Sequence, residues 1–254
     1  MSSNNQNLAK PVIHIMSLYP KDMNIYGDYG NVQTIIRRCE MFGYDPIVHE
    51  YNQGDEWPEQ IDMVLGGGGQ DTGQKKILED LHEKAQKLQQ LADDDVPMLM
   101  ICGLYQLFGE YFDTIDGDRL EGIGIFNAHT VGNKQRIIGN IVTNSKEFGR
   151  IIGYENHSGQ TFLHSETDAL GFVDNPLYGN NPQDTTEGAR YKHVIGTYLH
   201  GSLLPKNPNI ADYLIKNAAM HRYGSYEPTI DEQLSQQYDE IIKNARNIAM
   251  SRPR

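Results

Sequence analysis

Two cysteines occur in 254 residues, Cys39 and Cys102, and only the second has the surroundings of a nucleophile. The apolar run 96–101 leads directly into Cys102 and Gly103, and helix-forming residues follow. A strand that turns sharply into a helix lifts the side chain at the turn out of the sheet edge, the arrangement of a nucleophile elbow. The adjoining helix N-terminus favours a thiolate there. The N–H of Gly103 would face a developing oxyanion. Most cysteines pack as small apolar residues, and Cys39, on the inner face of an expected helix, is read in that way.

A thiol nucleophile needs a base. Among nine histidines, His200 ends the apolar stretch 191–199 and precedes Gly201, so it too is expected at a strand end. The run Gly66, Gly67, Gly68, Gly69 follows another apolar stretch. Glycines let backbone approach a ligand closely. The Lys and Ser/Thr of a phosphate cradle are absent, so the run is read as an oxyanion or substrate loop, with a plain turn as the alternative. Glu155 is a candidate to orient a histidine, while His157 reads equally as a surface residue. Arg136 lies in an expected strand, where its guanidinium could hold a carboxylate as a bidentate fork, although an exposed strand arginine is common. Residues 20–31, PKDMNIYGDYGN, read as a loop contacting substrate or partner, or as a surface loop with an N-cap at Asn31.

These side chains need a scaffold. Residues 12–18 read as a buried strand. Residues 31–42 read as a helix, with Val32, Ile35, Ile36 and Cys39 on one face. Residues 44–49 and 61–65 read as strands. Ile77, Leu78, Leu81, Ala85, Leu88 and Leu91 mark a second amphipathic helix, and 96–101 a further strand. Strands alternating with helices predict right-handed crossovers and an α/β fold, a mostly parallel central sheet flanked by helices. Active sites of such sheets collect at the C-terminal strand ends. From 120 to 154 the chain turns to glycine and β-branched residues, read as strands and turns. Residues 179–189 read as a polar loop, 191–199 as a strand, and 208–221 and 230–250 as closing helices. One domain is expected over 11–254, after a disordered tail, 1–10.

There are 22 basic and 34 acidic residues, a net charge of −12. Such a surface repels phosphate backbones, so nucleic acid is not an expected partner. Two cysteines at unrelated spacing make neither a disulfide framework nor a zinc ribbon, and no metal is expected. They suit a reducing compartment. No apolar run approaches the roughly 20 residues that span a bilayer, so membrane insertion is not expected. The start, MSSNNQNLAKP, lacks the apolar core of a secretory signal. A cytoplasmic location is expected.

In order along the chain stand LYPKDMNIYGDYGN, LGGGGQD, ICGLYQLFG, GYENHSGQT and GTYLHGSLLPKNP. Together they resemble the class I, triad-type glutamine amidotransferases of the cobyric acid synthase-like branch. Within that branch the chain is similar to glutaminase subunits of lipid II isoglutaminyl synthases. The resemblance implies a flavodoxin-like fold and a glutaminase. Cys102 would attack the side-chain amide of L-glutamine, with His200 as base and Glu155 as the third group. Gly68 and Gly103 would hold the oxyanion, and Arg136 and Gln106 would bind substrate. It implies no cofactor in this chain, ATP on a Mur-ligase-like partner subunit, and ammonia passed to the D-glutamate α-carboxylate of lipid II. A subunit for cobyrinic-acid-type amidation, or a catalytically silent partner-binding domain, are the alternatives. Two departures from the family pattern stand out. Leu104 replaces a glycine that many relatives carry at the elbow, which implies a reshaped turn. His200 is followed by Gly201 and Ser202, with no carboxylate two residues on.

Overall fold

The computed structural model describes residues 10–252, apart from 166, 201 and 231. Of the expected tail only Lys10, which is exposed, lies within them. The chain runs β1 (Val12–Leu18), α1 (Tyr29–Met41), β2 (Asp45–Tyr51), β3 (Met63–Gly66), α2 (Asp71–Asp93), β4 (Met98–Ile101) and α3 (Gly103–Leu107). It continues through β5 (Tyr111–Asp113), β6 (Arg119–Glu121), β7 (Ala128–Ser145), β8 (Gly149–Leu163), β9 (Gly171–Val173) and β10 (Thr186–Glu187). It ends with β11 (Ala189–Tyr191), β12 (Val194–Thr197), α4 (Leu203–Lys206), α5 (Pro208–Tyr223) and α6 (Glu232–Ser251).

One sheet has the order β11-β12-β4-β3-β1-β2. Its neighbours from β12 to β2 pair in parallel, and only β11 is antiparallel. The expected mostly parallel α/β sheet is therefore present. Strands β3, β4 and β12 are buried at every residue, as near-continuous apolar runs are when helices cover both faces. A second sheet, β10-β9-β7-β5-β6 with β8 on β7, is built on the long antiparallel β7–β8 hairpin.

The expected strand 191–199 is divided. Lys192 takes a positive φ of 49°, so β11 and β12 form a tight antiparallel pair and residues 198–200 run beyond the sheet edge. The expected loop 179–189 contains β10 and the first residue of β11. The last helix, α6, has no fully buried residue. It is tied down by Arg246, whose guanidinium donates to the carbonyl oxygens of Arg150 (2.7 Å) and Lys206 (2.5 Å).

Strand β8 lies at a sheet edge, where unpaired backbone groups need a cover. Asn207, between α4 and α5, supplies part of it. Its Oδ1 accepts the Ile152 N–H (2.9 Å), and its Nδ2 donates to the Ile152 and Leu203 carbonyls (both 2.8 Å). One residue pair further on, the His200 N–H donates to the Tyr154 carbonyl at 2.6 Å. The outer edge of β8 is thus stitched to the segment that carries the candidate base. Asn207→Ala leaves the buried Ile152 N–H and C=O unpaired. The expected loss is about 3 kcal/mol, a fall of about 6–12 °C in unfolding midpoint at this chain length, checked by thermal denaturation.

Candidate active site

Four strand ends meet at one edge of the parallel sheet. The register sets Leu18 beside Gly66, Gly66 beside Met100 and Ile101 beside Thr197. The segments that follow β1, β3, β4 and β12 therefore emerge side by side.

Cys102 follows β4 with φ 48° and ψ −100°. A non-glycine residue held there costs about 1–3 kcal/mol and persists only where the surroundings impose it. Here the Cys102 N–H donates to the Thr197 carbonyl (2.8 Å) and its C=O accepts the Gln106 N–H (2.9 Å), fixing both sides of the turn. The strain sits on Cys102 and not on Leu104. Leu104 is helical and fully buried, and a side chain on Gly66 would meet it at 2.4 Å. The expected reshaping of the elbow is absent, because the position Leu occupies has no positive φ. Cys102 is 7% exposed and lines a cleft with Ile25, Tyr26, Gly69, Arg136 and Asn156. Cys39 is fully buried and its thiol is pushed up to about 12 by burial, as expected of a packing residue.

His200 is fully buried. The Tyr26 ring stands edge-on to it at 4.6 Å between centroids. Its Nδ1 lies 3.5 Å from Asp28 Oδ1. Burial opposes charge on the ring, but its interactions with Cys102 and the Asp28 carboxylate outweigh it and push the imidazole up to about 10. Neither ring nitrogen makes an aligned hydrogen bond among the described residues. Contacts of this kind often tighten only around substrate.

Gly68 packs among these groups. A Cβ there would lie 2.6 Å from His200 Cε1 and 3.2 Å from Cys102 Cβ. Its N–H donates to Asp28 Oδ2 at 2.8 Å, so it is engaged and not offered to an oxyanion. The N–H groups of Gly69 and Gly103 have no partner among the described residues. They are close together, since a Cβ on Gly103 would sit 3.0 Å from Gly69 N. Among the described residues, these two main-chain donors are left free beside Cys102.

Arg136 is exposed beside the cleft. Its Nε and Nη2 donate to Asn156 Oδ1 (3.1 and 2.7 Å), and Nη2 also to the Asn156 carbonyl (3.2 Å). Asn156 Nδ2 in turn donates to the Tyr26 hydroxyl at 2.7 Å. Gln106 lines the cleft wall, but its amide is engaged within the protein: Nε2 donates to Tyr198 Oη (3.1 Å) and Oε1 accepts from Gln74 (2.9 Å).

Glu155 is fully buried but makes no hydrogen bond to His200. Both its oxygens accept the Gly179 N–H at 3.2 Å, and the nearest imidazole nitrogen is His157 Nε2, at 3.7 Å. Burial pushes the carboxyl up to about 8. His157 is not a surface residue. It stacks on Tyr198 at 3.6 Å, and burial pushes it down to about 3. On β8, Glu155 and His157 share the buried face, and His157 on that face stacks on Tyr198.

The residue that sequence reasoning missed is Asp28. The helix was expected to open with an N-cap at Asn31, but α1 begins at Tyr29 and Asp28 precedes it. Asn31 lies inside the helix and accepts the Leu204 N–H at 2.9 Å. Asp28 caps nothing, and its carboxylate points to Gly68 and His200. An acidic residue placed for capping yet turned inward has no signature in a single sequence. Gly68→Ala is expected to displace the His200 ring and lower any Cys102-dependent turnover about 100-fold, as small misplacements do. Steady-state kinetics with a thermal-unfolding control checks this.

Residues 14–208 match the CobB/CobQ-like glutamine amidotransferase domain. The chain is 36% identical, over 238 residues, to the lipid II isoglutaminyl synthase (glutamine-hydrolyzing) subunit GatD of Staphylococcus aureus (strain N315), covering 93% of this chain and 96% of that protein. It is 34% identical to the corresponding subunit of Streptococcus pneumoniae (strain ATCC BAA-255 / R6), covering 92% and 93%. A chain of PurLQS from Thermotoga maritima shares the fold, with a TM-score of 0.56 at 12% identity, over 82% of this chain and 98% of that one. A strained cysteine beside a buried histidine at the edge of a parallel sheet, and a domain match over most of the length, lead to one assignment: the chain belongs to the CobB/CobQ-like glutamine amidotransferase family.

Proposed function

We propose that the chain is the glutamine-hydrolysing subunit of a lipid II isoglutaminyl synthase, releasing ammonia for a Mur-ligase-like, ATP-using partner that amidates the D-glutamate α-carboxylate of lipid II. The reading rests on near-full-length similarity to two such subunits. The juxtaposition of Cys102, His200 and an arginine-bearing cleft agrees with it.

His200 holds the thiol proton as the Cys102 sulfur attacks the side-chain carbonyl carbon of L-glutamine. The carbonyl oxygen, now carrying the negative charge, accepts from the N–H groups of Gly69 and Gly103. His200 passes the proton to the amide nitrogen, the C–N bond breaks, and ammonia leaves a thioester on Cys102. Water, deprotonated by His200, attacks the thioester and releases glutamate with the thiol restored. Arg136 Nη1, which makes no hydrogen bond among the described residues, is left to hold the α-carboxylate of glutamine. The chain itself works without a cofactor, and ATP is consumed by the partner. Two unpaired cysteines suit work in the cytoplasm. Among the described residues no helix is long and apolar enough to cross a membrane.

The silent-domain alternative loses its motives. Leu104 fits the elbow without strain, and a carboxylate other than Glu155 lies beside the base. The cobyrinate alternative is separated by substrate: the pair should amidate lipid II and not a corrinoid acid.

With the partner, Cys102→Ala should abolish glutamate release while amidation of lipid II persists when ammonium salt replaces glutamine. Glutamine-driven amidation by Cys102→Ala would remove the mechanism. The charged imidazole is raised to about 10, so it stays protonated through neutral pH and loses its proton as pH rises through that value. Glutamine turnover should therefore hold through pH 8–9 and fall towards pH 10, read from a kcat/KM profile. A loss of activity centred near 6.5, the ordinary histidine range, would contradict the ion pair.

A further inference from the structure

We infer that Asp28 is the positioning carboxylate of the Cys102–His200 pair, fixing the imidazole through Nδ1 and the glycine loop through the Gly68 N–H. The inference rests on the glutaminase reading above and adds to it a residue from the β1–α1 loop.

The carboxylate is 4% exposed. Oδ2 accepts the Gly68 N–H at 2.8 Å. Oδ1 is buried without a hydrogen-bond partner, and so is His200 Nδ1; the two atoms lie 3.5 Å apart. Each unmatched buried polar atom is costly, and the geometry leaves these two only each other. A proton on Nδ1 shared with Oδ1 leaves Nε2 to hold the thiol proton and, once that proton has gone to the leaving ammonia, to take one from water. The same carboxylate then stabilises the imidazolium that results.

The groups that face the ring are Asp28 and Tyr26 from the β1–α1 loop and Cys102 from the elbow, with Glu155 and His157 of β8 farther off. Glu155 is held by Gly179, and burial favours its neutral form. It is poorly suited to balance a positive ring. Asp28 also explains how the site dispenses with a carboxylate two residues after the histidine, because the supporting group arrives from a different strand end.

D28N is nearly isosteric and can still accept the Gly68 N–H through its amide oxygen. Its amide nitrogen would donate to Nδ1 and drive the proton onto Nε2, the wrong tautomer. In the complex with its partner, D28N should lower kcat for glutamine about 100-fold or more with KM changed only a few-fold. In the isolated full chain, the pH at which iodoacetamide alkylates Cys102 at half-maximal rate should rise by about one unit or more, because the imidazolium that favours the thiolate loses its carboxylate partner and gives up its proton more readily. Cys39, buried with its thiol pushed up to about 12, does not obscure that readout. Thermal unfolding checks that D28N is folded, and D28E should recover part of the rate.

A D28N profile and kcat matching wild type overturn the inference. So does an E155Q variant that moves the alkylation profile while D28N does not. A wild-type complex that releases no glutamate refutes the glutaminase reading instead, and the alkylation experiment still decides the role of Asp28.

Discussion

A fully buried imidazole that must carry charge dictates what surrounds it. Withdrawn from water, the ring of His200 would be neutral at physiological pH. The carboxylate of Asp28 and the sulfur of Cys102 reverse that preference. Both must be close, and both must be held by something other than solvent. The rest of the site can be read as the means of doing so. The elbow holds the sulfur, the Gly68 N–H holds the carboxylate, and the Tyr154 carbonyl holds the histidine backbone.

Those three holds come from different layers. The parallel sheet supplies the strand ends that carry Cys102, the glycine run and the approach to His200. The β7–β8 hairpin belongs to the second sheet, yet its edge fixes the His200 main chain and its strands bring Arg136 and Asn156 to the cleft. A chain of contacts, Arg136 to Asn156 to Tyr26 to His200, joins the rim that would receive a substrate carboxylate to the base. Behind them, Gln106, Tyr198, Thr161 and Thr130 form a buried hydrogen-bonded wall. Such a network rigidifies a site when all its members are satisfied.

Glycine is required at Gly68 for space, with no demand on its backbone angles. Three functional groups converge there so closely that a methyl group would strike the histidine ring. At Cys102 the requirement is reversed. A residue with a side chain is forced into a conformation that favours glycine, and the hydrogen bonds on either side of the turn bear the cost.

Apolar runs ending at Cys102 and at the glycines determined that these positions would stand at strand ends, and the run before His200 put it just past another, since strand and helix periodicity is local and legible in one chain. The alternation of those runs with amphipathic helices determined the parallel sheet. What the sequence could not settle was which polar side chains face one another. Asp28 and Gly68 are 40 positions apart, and their bond exists only because β1 and β3 are neighbours in register. Glu155 looked equally suited to orient the histidine, but the fold gives its oxygens the Gly179 N–H as their hydrogen-bond partner. Gln106 and Gly68 followed the motif yet have their hydrogen-bonding groups engaged inside the protein. Pairing across strands depends on strand order, register and the face each residue takes, and these are fixed only when the whole core packs.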